Sequence, residues 1–269
     1  MKEQTFSGYS KLITEIIKSR YKIYTVDEYI NDKPQNGAVI IRHDVDVNAQ
    51  QALKLARLEK GLGIKSTYYF RCIPKVYNES IMKSIREMGF EVGYHYETLD
   101  KSYGDFPKAI QLFKDELQSF RKVIPVKTVC AHGNVVRNKH YSGSNYDIFQ
   151  FDPNLLVECS LSAEAYLSMH APPLVYISDS IERIKNFRSV DELIGKIELS
   201  DNKDMSYYML FHPCLWANGT INSFQISTKK IIYHNLAKAV KLFRKKARSS
   251  QKIRTKEKQC TNDFSTLGD

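Results

Sequence analysis

No stretch of this 269-residue chain stays apolar for the roughly 18–20 residues that a membrane-crossing helix needs. The first twenty residues hold no continuous apolar core and no small-residue cleavage site, so a secretory leader is not expected there; they read as an amphipathic helix. Cysteine is sparse: Cys72, Cys130, Cys159, Cys214 and Cys260, an odd number with no CxxC pair. That argues against a disulfide framework and against a cysteine-only zinc site, and makes the cytoplasm the expected compartment. The first apolar strand is not followed by a glycine-rich phosphate loop, which weakens a nucleotide-binding reading. Charge is scarce outside one end. Of the net +10, a balance of +9 lies between Lys238 and Lys258, so the rest of the chain is nearly neutral. Nucleic acid is therefore not expected as the main partner, and no recognised nucleic-acid motif appears. The basic end suits an anionic membrane surface, such as the inner membrane face, or is a solvated helix end running into disorder.

What the chain does have is alternation. Hydrophobic residues make up 42%, ordinary for a folded protein. Ile13, Ile16 and Ile17 mark an N-terminal helix. Ala38–Ile41 reads as a buried strand, then Ala49, Leu53, Ala56 and Leu58 as a helix stopped by Gly61 and Gly63. Ser66–Phe70, Phe90–Tyr94 and Val126–Cys130 are further strands. Between them lie helix faces at Ile81, Ile85 and Met88, with Gly89 as the stop, and at Ile110, Phe113, Leu117 and Phe120. Leu174–Ile177 and Met209–Phe211 are later strands, and Leu236, Val240 and Phe243 a last helix. This spacing predicts parallel βα units, either a barrel or an open doubly wound sheet. Residues 138–170 read as a long loop or insertion over one end. The expected organisation is one catalytic domain over 1–245 and a basic, disordered tail over 246–269.

In either architecture a site forms where strands end at their C-termini. Ionisable residues stand there: His43, Asp44 and Asp46 after the first strand, His95 and Glu97 after the third, His132 after the fourth, then Asp179 and His212. Asp44 and Asp46 are two apart, so on extended backbone both point to one face and repel unless a cation or a shared proton relieves them. One Asp and two His would hold a divalent metal with open positions for water and substrate. The second Asp would then serve as general base and a separate His as general acid. Bland readings stand beside these. Asp44 alone would cap the following helix, Ser178-Asp179-Ser180 is also a turn signal, and Trp216, the only Trp, either floors a sugar pocket or sits in the core. His43 should point away from the aspartates into the core; His140, His170 and His234 read as structural.

Five segments in order, Arg42–Asp46, Glu91–Glu97, Ala131–Gly133, Tyr176–Ser180 and Leu210–Pro213 with Trp216, resemble the polysaccharide deacetylase (NodB-homology) superfamily, closest to its WbmS-like branch. The resemblance implies a distorted (β/α) barrel and metal-dependent hydrolysis of an N- or O-acetyl group on a sugar in surface-polysaccharide synthesis, with zinc foremost as the metal. By position it implies Asp44 as base, Asp46 and His95 as metal ligands, and His212 as acid. The superfamily's second His ligand stands four residues after the first, but here that place is Leu99, so His132 is the first choice for the third ligand and Glu97 the second. Val45 splits the usual adjacent Asp pair, which leaves an exchange of roles between Asp44 and Asp46 open. Glu97, Asp179 and Trp216 are the expected substrate-binding residues, for a small sugar or an oligosaccharide. Two other functions remain open: a decayed barrel that only binds carbohydrate, and a non-haem iron enzyme, whose two-His, one-carboxylate set is the same.

Overall fold

Each strand of this protein places alternate residues on opposite faces, and that period organises the fold. The computed structural model describes residues 5–19, 21–35, 37–133, 143–169, 174–179, 189–198 and 205–216, all within one compact unit, Met1–Ser227. The expected last helix, the 246–269 tail, His140, His170 and His234 lie outside these residues.

The chain opens with α1 (Phe6–Lys18), β1 (Lys22–Tyr24) and α2 (Val26–Asp32). Four repeats of strand and helix follow: β2 (Ala38–Val45) and α3 (Ala49–Gly61); β3 (Thr67–Arg71) and α4 (Glu79–Glu87); β4 (Glu91–Tyr96) with α5 (Thr98–Lys101) and α6 (Phe106–Arg121); β5 (Thr128–Ala131) with α7 (Asp147–Phe151) and α8 (Leu155–Glu158). Then come β6 (Ala163–Glu164), β7 (Leu174–Ser178), α9 (Val190–Glu198) and β8 (Ser206–Phe211). All pairings are parallel, in the order β6-β5-β4-β3-β2-β8-β7. The sheet is a curled half-barrel, open between β6 and β7 among the described residues. β8 pairs with β2 along Val39–His43 and β3 pairs along Arg42–Val45, so β1 takes the stretch Ala38–Ile40 that β3 leaves free.

Local chemistry sets the ends. Asn48 accepts from the N–H groups of Gln50 and Gln51 and caps α3, so Asp44 is not its cap. Asp105 caps α6 beside Pro107, and Thr25 with Glu28 forms a capping box on α2. Gly89 stops α4 with φ +97°, a conformation an L side chain resists. In α1 the buried face is Phe6, Tyr9, Leu12, Ile13 and Ile16; Ile17 falls beyond its edge and is 44% exposed.

In β2, Val39, Ile41 and Val45 face the helices, and Ala38 and Ile40 face the barrel interior with Tyr69, Cys130 and Tyr208. Arg42 and Asp44 continue the inner row. His43, on the outer row, is buried at 2.9 Å from Glu59 and lies over the Tyr68 ring. Glu59 also accepts hydrogen bonds from Tyr9, Ser66 and Tyr68. Burial opposes a charge on Glu59, but His43 and these donors outweigh it and hold the carboxyl below its ordinary range. Gly93 leaves room for the interior Tyr69 ring, since a Cβ there would lie 2.5 Å from it and 2.7 Å from the Thr128 carbonyl. The stretch expected to be one long loop instead carries α7, α8 and β6. Asn145 ties it to the site by donating to the His132 carbonyl and to Asp100.

Candidate metal centre

The C-terminal ends of β2, β4, β5 and β8 bring together the aspartates and three histidines singled out in the sequence. The Asp46 carboxylate is the hub: His95 Nε2 lies 3.4 Å and His132 Nε2 3.6 Å from its Oδ1, and His212 Nε2 lies 3.7 Å from its Oδ2. Asp44 Oδ2 is 3.7 Å from His95 Nε2. His95 lies inside β4 rather than after it, paired with Arg71 and Cys130 in register. His132 extends the β5 ladder by donating its backbone N–H to the Tyr96 carbonyl. Asp44 and His95 are fully buried, whereas the side chains of Asp46, His132 and His212 keep 24%, 18% and 14% exposure and form the open side.

The tautomers are set from behind. His95 Nδ1 is 2.9 Å from the Cys130 carbonyl, which can only accept, so Nδ1 carries the proton and Nε2 is left to face the two carboxylates. His212 Nδ1 is 2.6 Å from Asp179 Oδ1; Asp179 Oδ2 accepts from the His212 backbone N–H at 2.8 Å and from Trp216 Nε1 at 2.9 Å. The Trp216 ring packs against Tyr9 and Phe211.

These surroundings split the histidines. Burial pushes His132 down to about 3, against the pull of Asp46 and with added repulsion from His95, Arg71 and His212, so it is a neutral base at pH 7. Burial opposes a charge on His212 as well, but Asp179, Asp46 and Asp44 outweigh it and raise the ring to about 9. Burial also works against Asp46, yet His95, His212 and His132 hold its carboxyl well below the usual range.

Two residues without an assigned role in the sequence reading frame the site. Arg71 donates to the Asp46 carbonyl at 3.0 Å and to Glu97 Oε2 at 2.5 Å, joining the ends of β2 and β4. Arg42, wholly buried between the Tyr166 and Tyr208 rings, donates to the Tyr208 hydroxyl at 2.9 Å and to Asp44 at 3.4 Å. Their signal was the rule that paired the aspartates: Arg42 is two residues before Asp44, and Arg71 closes its strand.

The expected substrate-binding roles need correction. Trp216 is fully buried and Asp179 is 1% exposed, so neither offers a surface to a sugar; both hold His212 instead. Glu97 is 8% exposed, is engaged by Arg71, and stands 3.4 Å behind His132 Nδ1.

The donor set suits a divalent cation. Asp46, His95 and His132 each offer one ligand atom within 4.8 Å of the others. Asp46 Oδ1 is buried and makes no hydrogen bond, although two ring nitrogens flank it. A carboxylate facing lone pairs calls for a shared cation. No protein-family model matches the chain, and no curated protein matches it significantly.

Proposed function

We propose that the chain is a metal-dependent hydrolase that removes an acyl group, foremost an acetyl, from a sugar. One observation carries the hydrolase part: Asp46 gathers three ring nitrogens at 3.4–3.7 Å, two on candidate ligands and one on His212, whose other nitrogen is held by Asp179. The choice of an acylated sugar rests on the likeness of the five segments to polysaccharide deacetylases. The substrate would be a small sugar or an oligosaccharide.

Asp46, His95 and His132 would hold the ion, with zinc the leading candidate for a nitrogen- and oxygen-ligated site. Bound there, it supplies a lower water pKa and polarises the acyl oxygen. Asp44, 3.4 Å from the Arg42 guanidinium, accepts the proton of the attacking water. His212 donates its Nε2 proton to the departing amine or alcohol, and Asp179 stabilises the imidazolium before transfer. Arg71 and Glu97 hold the ends of β2 and β4 and the back of His132 in place.

The test is acetate release from a panel of N- and O-acetylated sugars by the zinc-loaded chain. Asp44→Asn and His212→Gln should each bind metal and lose turnover by about 10²-fold or more. Full activity in either variant would remove that residue's role. Specific sugar binding without turnover, unchanged in Asp44→Asn, would favour a carbohydrate-binding barrel.

A further inference from the structure

Directly beneath the triad that ends in His132 lies another set of donors. Asp44, His95 and Cys130 offer three ligand atoms within 4.8 Å of one another, and all three residues are buried. Sheet register brings them together: His95 pairs with Cys130 across β4 and β5, and both face the inner row of β2. Cys130 Sγ lies 3.9 Å from each oxygen of Asp44, and His95 Nε2 lies 3.7 Å from Asp44 Oδ2. A buried cysteine is ordinarily a small apolar filler. Cys130 is one only on the side that packs in the interior cluster; on its other side the thiol meets the Asp44 carboxylate, with a His95 ring nitrogen within 4.8 Å.

We propose that Cys130 gives the centre a sulfur ligand, so that the ion has two adjoining seats sharing His95 Nε2. The outer seat is Asp46–His95–His132 and the inner is Asp44–His95–Cys130. The proposal rests on the reading that the site holds a divalent ion at all. Ideal tetrahedral zinc places N, O and S ligands roughly 3.3–3.5 Å apart, so Cys130 and His95 each need to approach Asp44 by only a few tenths of an ångström, and each other from within 4.8 Å. His95 Nε2 has one lone pair, so a single ion takes one seat at a time. In the inner seat the thiol proton leaves to solvent, and the thiolate and Asp44 face the ion beside the Arg42 guanidinium. Two consequences follow. The centre favours thiophilic ions such as zinc, cobalt or cadmium over magnesium or calcium, which take oxygen sets. The two aspartates also exchange tasks with the seat: Asp44 is free to act as base while the ion is outside, and Asp46 is freed when the ion moves inside.

The test is the absorption spectrum of the whole chain titrated with cobalt(II). Its visible ligand-field bands report binding, and a near-ultraviolet thiolate-to-cobalt band reports sulfur. The expected result is both features in the wild type, with loss of the near-ultraviolet band in Cys130→Ser while the visible bands persist. Visible bands alone in the wild type would leave the metal centre standing and overturn the sulfur ligand. A near-ultraviolet band that survives in Cys130→Ser would belong to another cysteine and overturn it equally. No bound cobalt would contradict the metal centre itself. If Cys130→Ser does not fold, Cys130→Ala takes its place, and cadmium NMR, where sulfur ligation shifts the resonance far downfield, should lose that shift in the variant; a wild type without the shift, or a variant that keeps it, would overturn the sulfur ligand.

Discussion

His212 keeps its proton because Asp179 stands behind it at 2.6 Å, itself fixed by Trp216 and the His212 backbone. The ring is raised to about 9 from an unfolded value near 6.5. A raised pKa stabilises the fold fully below about pH 6.5, and that contribution is lost as pH rises through about 9. As the acid of the proposed reaction, His212 sets an alkaline limb near the same pH. Asp179→Asn should move that limb downward in a pH–rate profile, toward about 6.5; an unmoved limb would show that another group sets it. The sequence placed Asp179 and His212 at strand ends, which is a one-dimensional fact. It did not show that they are partners, because 33 residues separate them and only the β7–β8 pairing joins them. Trp216 was ambiguous for a similar reason: a ring for stacking and a ring for packing look alike until its Nε1 finds a buried acceptor.

At the scale of elements, the long strands and helices were legible where apolar period and stop signals agreed, as in α3, α4 and α6. β1 was not, since its three residues bury only Tyr24 and follow no apolar run. α2, α7 and α8 are too short for a helical period to show. β2 is longer than its apolar run because Arg42, His43 and Asp44 continue the ladder with polar residues that pair with buried partners. That pairing makes the outer row of β2 sensitive: Glu59→Ala would strand Tyr9, His43, Ser66 and Tyr68, and should cost about 3–5 kcal/mol in a denaturant titration. On the inner row, Gly93→Ala pushes a methyl into the Tyr69 ring and the Thr128 carbonyl. The expected cost is about 1–3 kcal/mol in the same titration. A neutral result would mean that Tyr69 has room to move.

Across the whole molecule, a half-barrel of parallel strands concentrates its unmet polar groups at one end. The described strands put two aspartates and three histidines there, while the apolar interior and helix layers close the rest. No helix among the described residues is long and apolar enough to cross a membrane. The strand ends that carry the ligands come together only in the folded state, so an ion bound there should stabilise folding by linkage, about 2.7 kcal/mol at a hundred times its Kd. Zinc should raise the melting temperature by several degrees, and a chelator should reverse the rise; a flat response would argue that no ion binds the native state.

The most direct test is the metal content of the purified, reconstituted chain beside His95→Ala and His132→Ala. The account predicts about one equivalent of a divalent metal in the wild type, as a single three-ligand site requires, and its loss in both variants. A wild type that takes up none, or variants that keep all of it, would contradict the metal centre on which the proposed chemistry depends.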